Sequence, residues 1–315
     1  MMEIQRKGAQ TTMKFPEAVT IKEVGPRDGL QNEKAFISTE DKIAWIDQLS
    51  LTGLTHIEIT SFVNPKWIPA LADGLEVAKG IQRVPGVCYS ALVPNRKGLE
   101  KALDANVDEV AVFMSASETH NQKNINKSID QTYPILKEIV EESLRAGKKV
   151  RGYVSTVFGC PYEGDVAVEQ VVKVSEALFA MGIEELSLGD TIGVANPRQV
   201  QEVLRVLLKD FPGDKLAMHF HDTRGTAMAN ILASMDLGIT IFDGALGGLG
   251  GCPYAPGASG NLATDDLLYM LDGMGIHTGV NREGLLQAAQ FMEERIGRSL
   301  PSHSLQACKG NQVIQ

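Results

Sequence analysis

The feature that most restricts the folds open to this chain is an alternation, repeated eight times, of short apolar runs with longer segments of helical periodicity. Ala18–Val24, His56–Thr60, Val87–Leu92, Glu109–Met114, Lys149–Val154, Glu184–Leu188, Lys215–Phe220 and Thr240–Phe242 read as strands. The expected helices start at Ser38 or Thr39, run through roughly Arg83 after the loop Ser61–Pro69, and then cover about Arg96–Ala105, Ile129–Arg145, Val166–Met181, Pro197–Leu208, Thr226–Leu237 and Leu262–Leu271. A doubly wound sheet would usually place a phosphate-binding glycine fingerprint after its first strand, and the turn here is Gly25-Pro26-Arg27-Asp28-Gly29. The expectation is therefore an α/β TIM (β/α)8 barrel with an extra C-terminal helix, Arg282–Ile296, and a loose tail from Pro301. Residues 1–17 read as a flexible leader and 18–315 as a single barrel domain with a C-terminal helical extension.

Composition narrows the partners. The chain has 315 residues, 43% apolar, enough for a core of barrel size, and a net charge of -9 with no basic run long enough to follow a phosphate backbone. Nucleic acid is not expected. Cys88, Cys160, Cys252 and Cys308 form no C-x-x-C and read as reduced thiols. No apolar run reaches membrane-spanning length and no secretory signal opens the chain, so the expected location is cytoplasmic, with no membrane partner.

In a barrel, residues at the C-terminal ends of the strands converge on one face. Those exits hold Arg27 and Asp28 after the first strand, Glu58 within the second, Ser115 and Glu118 after the fourth, Asp190 after the sixth, His219 and His221 at the seventh and Asp243 after the eighth. His219 and His221 are two apart, which in a strand puts both imidazoles on one side. Several acids around one low-dielectric mouth repel one another unless a cation or hydrogen bonds compensate, and mixed oxygen and imidazole donors suit Mg2+, Mn2+ or a related ion. Taken alone, Asp28 equally fits a turn-capping carboxylate and Arg27 a partner for a neighbouring acid. Glu58 inside an apolar strand is costly unless compensated, as it would be beside Arg27. Cys252, in a glycine-rich loop, and Cys160, in the repeated Gly-Cys-Pro-Tyr, are both candidates for a reactive thiol.

V-G-P-R-D-G-L-Q-N-E at Val24–Glu33, I-E-I-T-S-F-V at Ile57–Val63, S-L-G-D-T-I-G-V at Ser187–Val194, H-F-H-D-T at His219–Thr223 and the glycine loop Gly248–Thr264 together resemble 3-hydroxy-3-methylglutaryl-CoA lyase, over about Val19–Thr278. The R-D-G turn with H-x-H marks the wider group of metal-dependent barrels that includes condensing synthases, and the cysteine loop with G-N-L-A-T marks the lyases. The resemblance implies one divalent ion per subunit, Mg2+ or Mn2+, held by Asp28, His219, His221 and Asn261. It implies Arg27 as the stabiliser of enolate charge, Cys252 in proton transfer, and Glu58 and Asp190 in support, with Asp28 and His219 also counted among the catalytic residues. It further implies an acyl-CoA substrate, cleavage to acetyl-CoA and acetoacetate, and a homodimer. Arg224, Gly244–Gly247 and Asp265 depart from the lyase pattern, so a branched analogue such as a 3-hydroxy-3-isohexenylglutaryl thioester is an alternative substrate.

Overall fold

In the computed structural model, which describes residues 13–251 and 260–313, every one of the eight apolar runs forms a strand. In chain order the elements are β1 (Thr20–Glu23), α1 (Thr39–Ser50), β2 (His56–Ser61), α2 (Gly74–Gly80), β3 (Cys88–Leu92), α3 (Arg96–Asp104), β4 (Glu109–Ser115), α4 (Glu118–Ile125), α5 (Ile129–Arg145) and β5 (Lys149–Ser155). There follow α6 (Val168–Met181), β6 (Glu185–Asp190), α7 (Pro197–Leu207), β7 (Leu216–Phe220), α8 (Ala227–Met235), β8 (Ile241–Gly244), α9 (Thr264–Gly273), α10 (Arg282–Ile296) and α11 (His303–Val313). Each strand pairs in parallel with the next and β8 returns to β1, closing the barrel.

The helices begin where side chains satisfy their first N–H groups. Ser38 caps α1 through the Asp41 N–H, Ser128 and Gln131 form a reciprocal capping box on α5, and Asn196 caps α7 ahead of Pro197. Strand alternation then sorts the residues. Ile21, Val150, Val154, Leu186, Leu188, Leu216, Met218, Phe220 and Phe242 are buried in the apolar layer between sheet and helices. Their neighbours of opposite parity, Lys22, Arg151, Tyr153, Glu185, Ser187, His219 and Asp243, form a polar network inside the barrel, where Lys22 meets Glu185 at 3.0 Å and Arg151 meets Asp243 at 2.6 Å.

Three expectations change. The tail from Pro301 is not loose: α11 is docked, its first N–H groups taken by Asp266 through His303 and Ser304, with Leu300 and Leu305 buried. The helix expected to reach Arg83 ends at Gly80, because Ile81 turns extended and the Asp47 carboxylate takes the Gln82 N–H at 2.7 Å. Between β4 and α5, where the sequence reading placed no element, stands α4, capped by Ser117. No described helix is long and apolar enough to cross a membrane.

Candidate active site and metal centre

The site begins where β1 ends. The Val24 carbonyl accepts N–H groups from Arg27, Asp28 and Gly29, winding Gly25–Gly29 into a single π-helical turn. Gly25 is required there, since a Cβ would lie 2.4 Å from Glu23 Oε1. The turn carries Arg27 and Asp28, both buried, to the barrel mouth. Across it stand His219 and His221, ring centroids 5.4 Å apart, and the ligand atoms of Asp28, His219 and His221 all lie within 4.8 Å of one another. These three residues form a site for a divalent metal ion.

Asn261 completes the group. It pairs with His221 in an isolated antiparallel bridge, and its amide nitrogen donates to Asp28 Oδ2 at 2.8 Å and to the Leu249 carbonyl at 3.1 Å. Its Oδ1 and the Nδ1 of His221 are buried with no hydrogen-bond partner. A bare amide oxygen and a bare imidazole nitrogen beside a carboxylate are donor atoms that fit a hard or borderline divalent ion, which would relieve the cost of burying them.

The electrostatics keep Asp28 and His221 in ligating form, whereas at His219 burial pulls the imidazole down but the Asp243 hydrogen bond and the Asp28 charge raise it, so an ion there competes with a proton. Burial pulls the Asp28 carboxyl upward, but Arg27, His219 and His221 together hold it at about 2. Its Oδ1 also accepts from Arg27 Nη1 and, at 2.5 Å, from Gln31 Nε2. Burial and the neighbouring His219 push His221 down to about 4, leaving it neutral. Arg27 is clamped from the other side: its Nε donates to Glu58 Oε2 at 2.7 Å, the same oxygen takes the Tyr153 hydroxyl at 3.1 Å, and the guanidinium lies 5.4 Å from the centre of the Tyr153 ring. Glu58 is raised by burial against the pull of Arg27, and its Oε1 has no partner.

A cavity of about 720 Å3 opens over Arg27, Asp28, His219 and His221 and runs between Trp67, Phe113 and Leu136. The structure thus gathers Arg27, Asp28, Glu58, His219, His221 and Asn261. Asp190 sits at the β6 exit with both oxygens on backbone N–H groups, those of Val194 and Ala195, and burial lifts it to about 6. Cys252 lies outside the described residues. Cys160 is buried away from the cavity, its sulfur 3.0 Å from Ser117 Oγ. Glu118 does not join the mouth: it opens α4 and its carboxylate takes the Ile129 N–H. Asp243 is within β8 rather than after it, beside His219. Gln31 and Tyr153 had no assigned role from sequence. The signals were there: Gln31 follows Asp28 by one helical turn, and Tyr153 shares the parity of Arg151 on β5.

The departures from the lyase pattern are structural. Arg224 spends its Nη1 on the carbonyls of Ile192 and Gly193 and does not line the cavity. Asp265 accepts the Gly247 N–H and the Ser302 hydroxyl, tying the loop after β8 to the start of α11.

A family model described as HMGL-like matches residues 18–292. The chain belongs to that HMGL-like family. Within it, hydroxymethylglutaryl-CoA lyase YngG of Bacillus subtilis is 62% identical over 299 residues, 95% of this chain and 100% of that protein. A crystal structure of the Bacillus subtilis HMG-CoA lyase superposes with a TM-score of 0.93 at 62% identity, covering 94% of this chain and 100% of that one. An HMG-CoA lyase from Acinetobacter baumannii, solved in complex with coenzyme A and 3-methylmalate, reaches a TM-score of 0.89 at 42% identity over 94% of this chain and 97% of that one. The resemblance carried by the HMGL-like motifs is therefore borne out over nearly the whole chain, as is the barrel with its C-terminal helical addition.

Proposed function

We propose that this protein cleaves 3-hydroxy-3-methylglutaryl-CoA to acetyl-CoA and acetoacetate, and that the observation carrying the reading is Arg27 held beside the Asp28, His219, His221 and Asn261 donor set at one cavity. Breaking the C2–C3 bond requires loss of the C3 hydroxyl proton, collapse of that oxygen to a ketone, and flow of the bonding pair into a thioester enolate. When bound at Asp28, His219, His221 and Asn261, a Mg2+ or Mn2+ ion supplies Lewis acidity to the hydroxyl and a fixed anchor for the substrate. Asp28, kept ionised by Arg27, is the carboxylate at hand to receive the hydroxyl proton at Oδ2. Arg27, fixed by Glu58 and by the Tyr153 ring, meets the negative charge that grows on the thioester oxygen. Cys252 returns a proton to the enolate carbon, and Asp190 supports the β6 loop through Val194 and Ala195.

The same reading takes one ion per subunit, an acyl-CoA substrate, a homodimer in the cytoplasm, and residues 18–315 as one catalytic domain. The condensing synthases of the wider barrel group are the competing class. Mass spectrometry of two incubations separates them: the reading expects acetyl-CoA and acetoacetate to appear from 3-hydroxy-3-methylglutaryl-CoA. Consumption of acetyl-CoA with a 2-oxo acid, and no cleavage, would overturn it.

A further inference from the structure

β8 pairs with β7 so that Asp243 and His219 are register partners inside the barrel. Each oxygen of Asp243 is committed. Oδ1 accepts from Arg151 Nη2 at 2.6 Å, while Oδ2 accepts from Ser187 Oγ at 2.9 Å and lies 3.2 Å from His219 Nδ1. The Asp243 contacts are those of an ionised carboxylate, with the Arg151 guanidinium paired to one oxygen and the Ser187 hydroxyl donating to the other. An ionised carboxylate has no proton to give, so the hydrogen of that bond belongs to Nδ1. The lone pair of a neutral ring then sits on Nε2, which is 3.6 Å from Asp28 Oδ2 on the side of the ligand cluster. Arg151 is held in turn by Glu185, whose Oε1 takes its Nε at 2.6 Å and Lys22 Nζ at 3.0 Å.

We propose that Asp243, backed by Arg151 and Ser187, is a positioning residue that fixes His219 as the Nδ1–H tautomer and so aims Nε2 at the divalent ion, an inference that rests on reading Asp28, His219 and His221 as the metal site. Asp243 is outside the ligand cluster and does not line the cavity. Its effect is on which nitrogen of His219 is bare and where that nitrogen points, the arrangement in which a carboxylate behind a ligating histidine sets metal affinity.

Nitrogen-15 spectra of the whole protein with labelled histidine and saturating Mg2+ read the tautomer directly, with His219 assigned by the signal lost in His219→Gln. The proton is expected on Nδ1, and a proton on Nε2 would overturn the proposal. Calorimetric titration of chelator-stripped Asp243→Asn with Mn2+ gives the energetic side, with binding about 10–100-fold weaker than in the unaltered protein. Because that variant leaves Arg151 short of a counter-charge, Ser187→Ala is the companion: it removes one hydrogen bond and no charge, and weakens Mn2+ binding by a smaller factor. Unaltered affinity in the folded variants contradicts the proposal, and the tautomer spectrum stands whether or not Asp243→Asn folds. None of these readouts needs turnover. A protein with an Nδ1–H His219 that leaves 3-hydroxy-3-methylglutaryl-CoA intact would sink the proposed reaction and retain this inference, and an active enzyme with an Nε2–H His219 would do the reverse.

Discussion

Asn261 donates its amide nitrogen to Asp28 and leaves its oxygen bare beside two imidazoles, so it both orients one ligand and offers another. Asn261→Ala removes both functions, and Mn2+ binding to the stripped protein, followed by calorimetry, is expected to weaken by at least about tenfold. Glu23, fully buried behind the same turn, gives a pH-dependent prediction. Its oxygens accept from the Gly25 and Leu246 N–H groups and the Thr264 hydroxyl, yet burial still pushes it up to about 7. A folded pKa above the unfolded 4.5 means that the native state binds the proton more tightly. The resulting stability is full below the unfolded value and lost as pH rises through the folded one. Glu23→Gln should therefore gain roughly 2–3 kcal/mol on the unaltered protein between pH 5 and pH 8 in denaturant titrations, and a constant difference would contradict the assignment. Much of the residue scale was legible. The two-residue spacing of His219 and His221 set their common face. Asn261 was reachable only through resemblance, because an amide far along the chain carries no signal until a bridge to His221 brings it in. Asp243 was misplaced because β8 was expected to end at Phe242, while the strand continues to Gly244.

Among the elements, the segment after β8 is the one whose backbone the site depends on most. Gly250 has φ +96, and a Cβ there would stand 2.5 Å from Asn261 Nδ2 and 3.2 Å from the Asp28 carbonyl. Gly250→Ala thus pays twice, in backbone strain and in displacement of Asn261. Lower thermal stability together with weaker Mn2+ binding is the expected pair of results, and a variant with unaltered metal affinity would show that Asn261 is dispensable to the site. Helix starts were readable where the cap is local, as at Ser38 and at Asn196 ahead of Pro197. They were not readable where the cap comes from afar. α11 takes its first hydrogen bonds from Asp266, 37 residues earlier in sequence for His303, and α2 stops early because Asp47 on α1 captures the Gln82 N–H. Such partners become visible only when the chain is folded.

For the molecule as a whole, the barrel combines an apolar outer layer with an unusually charged interior, and the charge is arranged in opposed pairs from Lys22 and Glu185 through Arg151 and Asp243 to His219, Asp28 and Arg27. Eightfold alternation revealed the barrel but not this interior, because charged residues inside strands read locally as solvent-facing positions. The same scale decides specificity. Arg224 is bound to the Ile192 and Gly193 carbonyls, away from the cavity. In Arg224→Ala, the ratio of kcat/KM for thioesters with and without the C3 methyl group should change by less than the roughly tenfold that one methyl-sized pocket change produces. A larger change would return Arg224 to the acyl site. Cleavage of one carbon–carbon bond is tied to a metal held by Asp28, His219, His221 and Asn261, so the most direct measurement is acetyl-CoA and acetoacetate release from 3-hydroxy-3-methylglutaryl-CoA by protein stripped with chelator and then titrated with Mn2+ or Mg2+. The prediction is no product from the stripped protein and full restoration at one ion per chain; equal product with and without metal, or none from the metal-loaded protein, would contradict it.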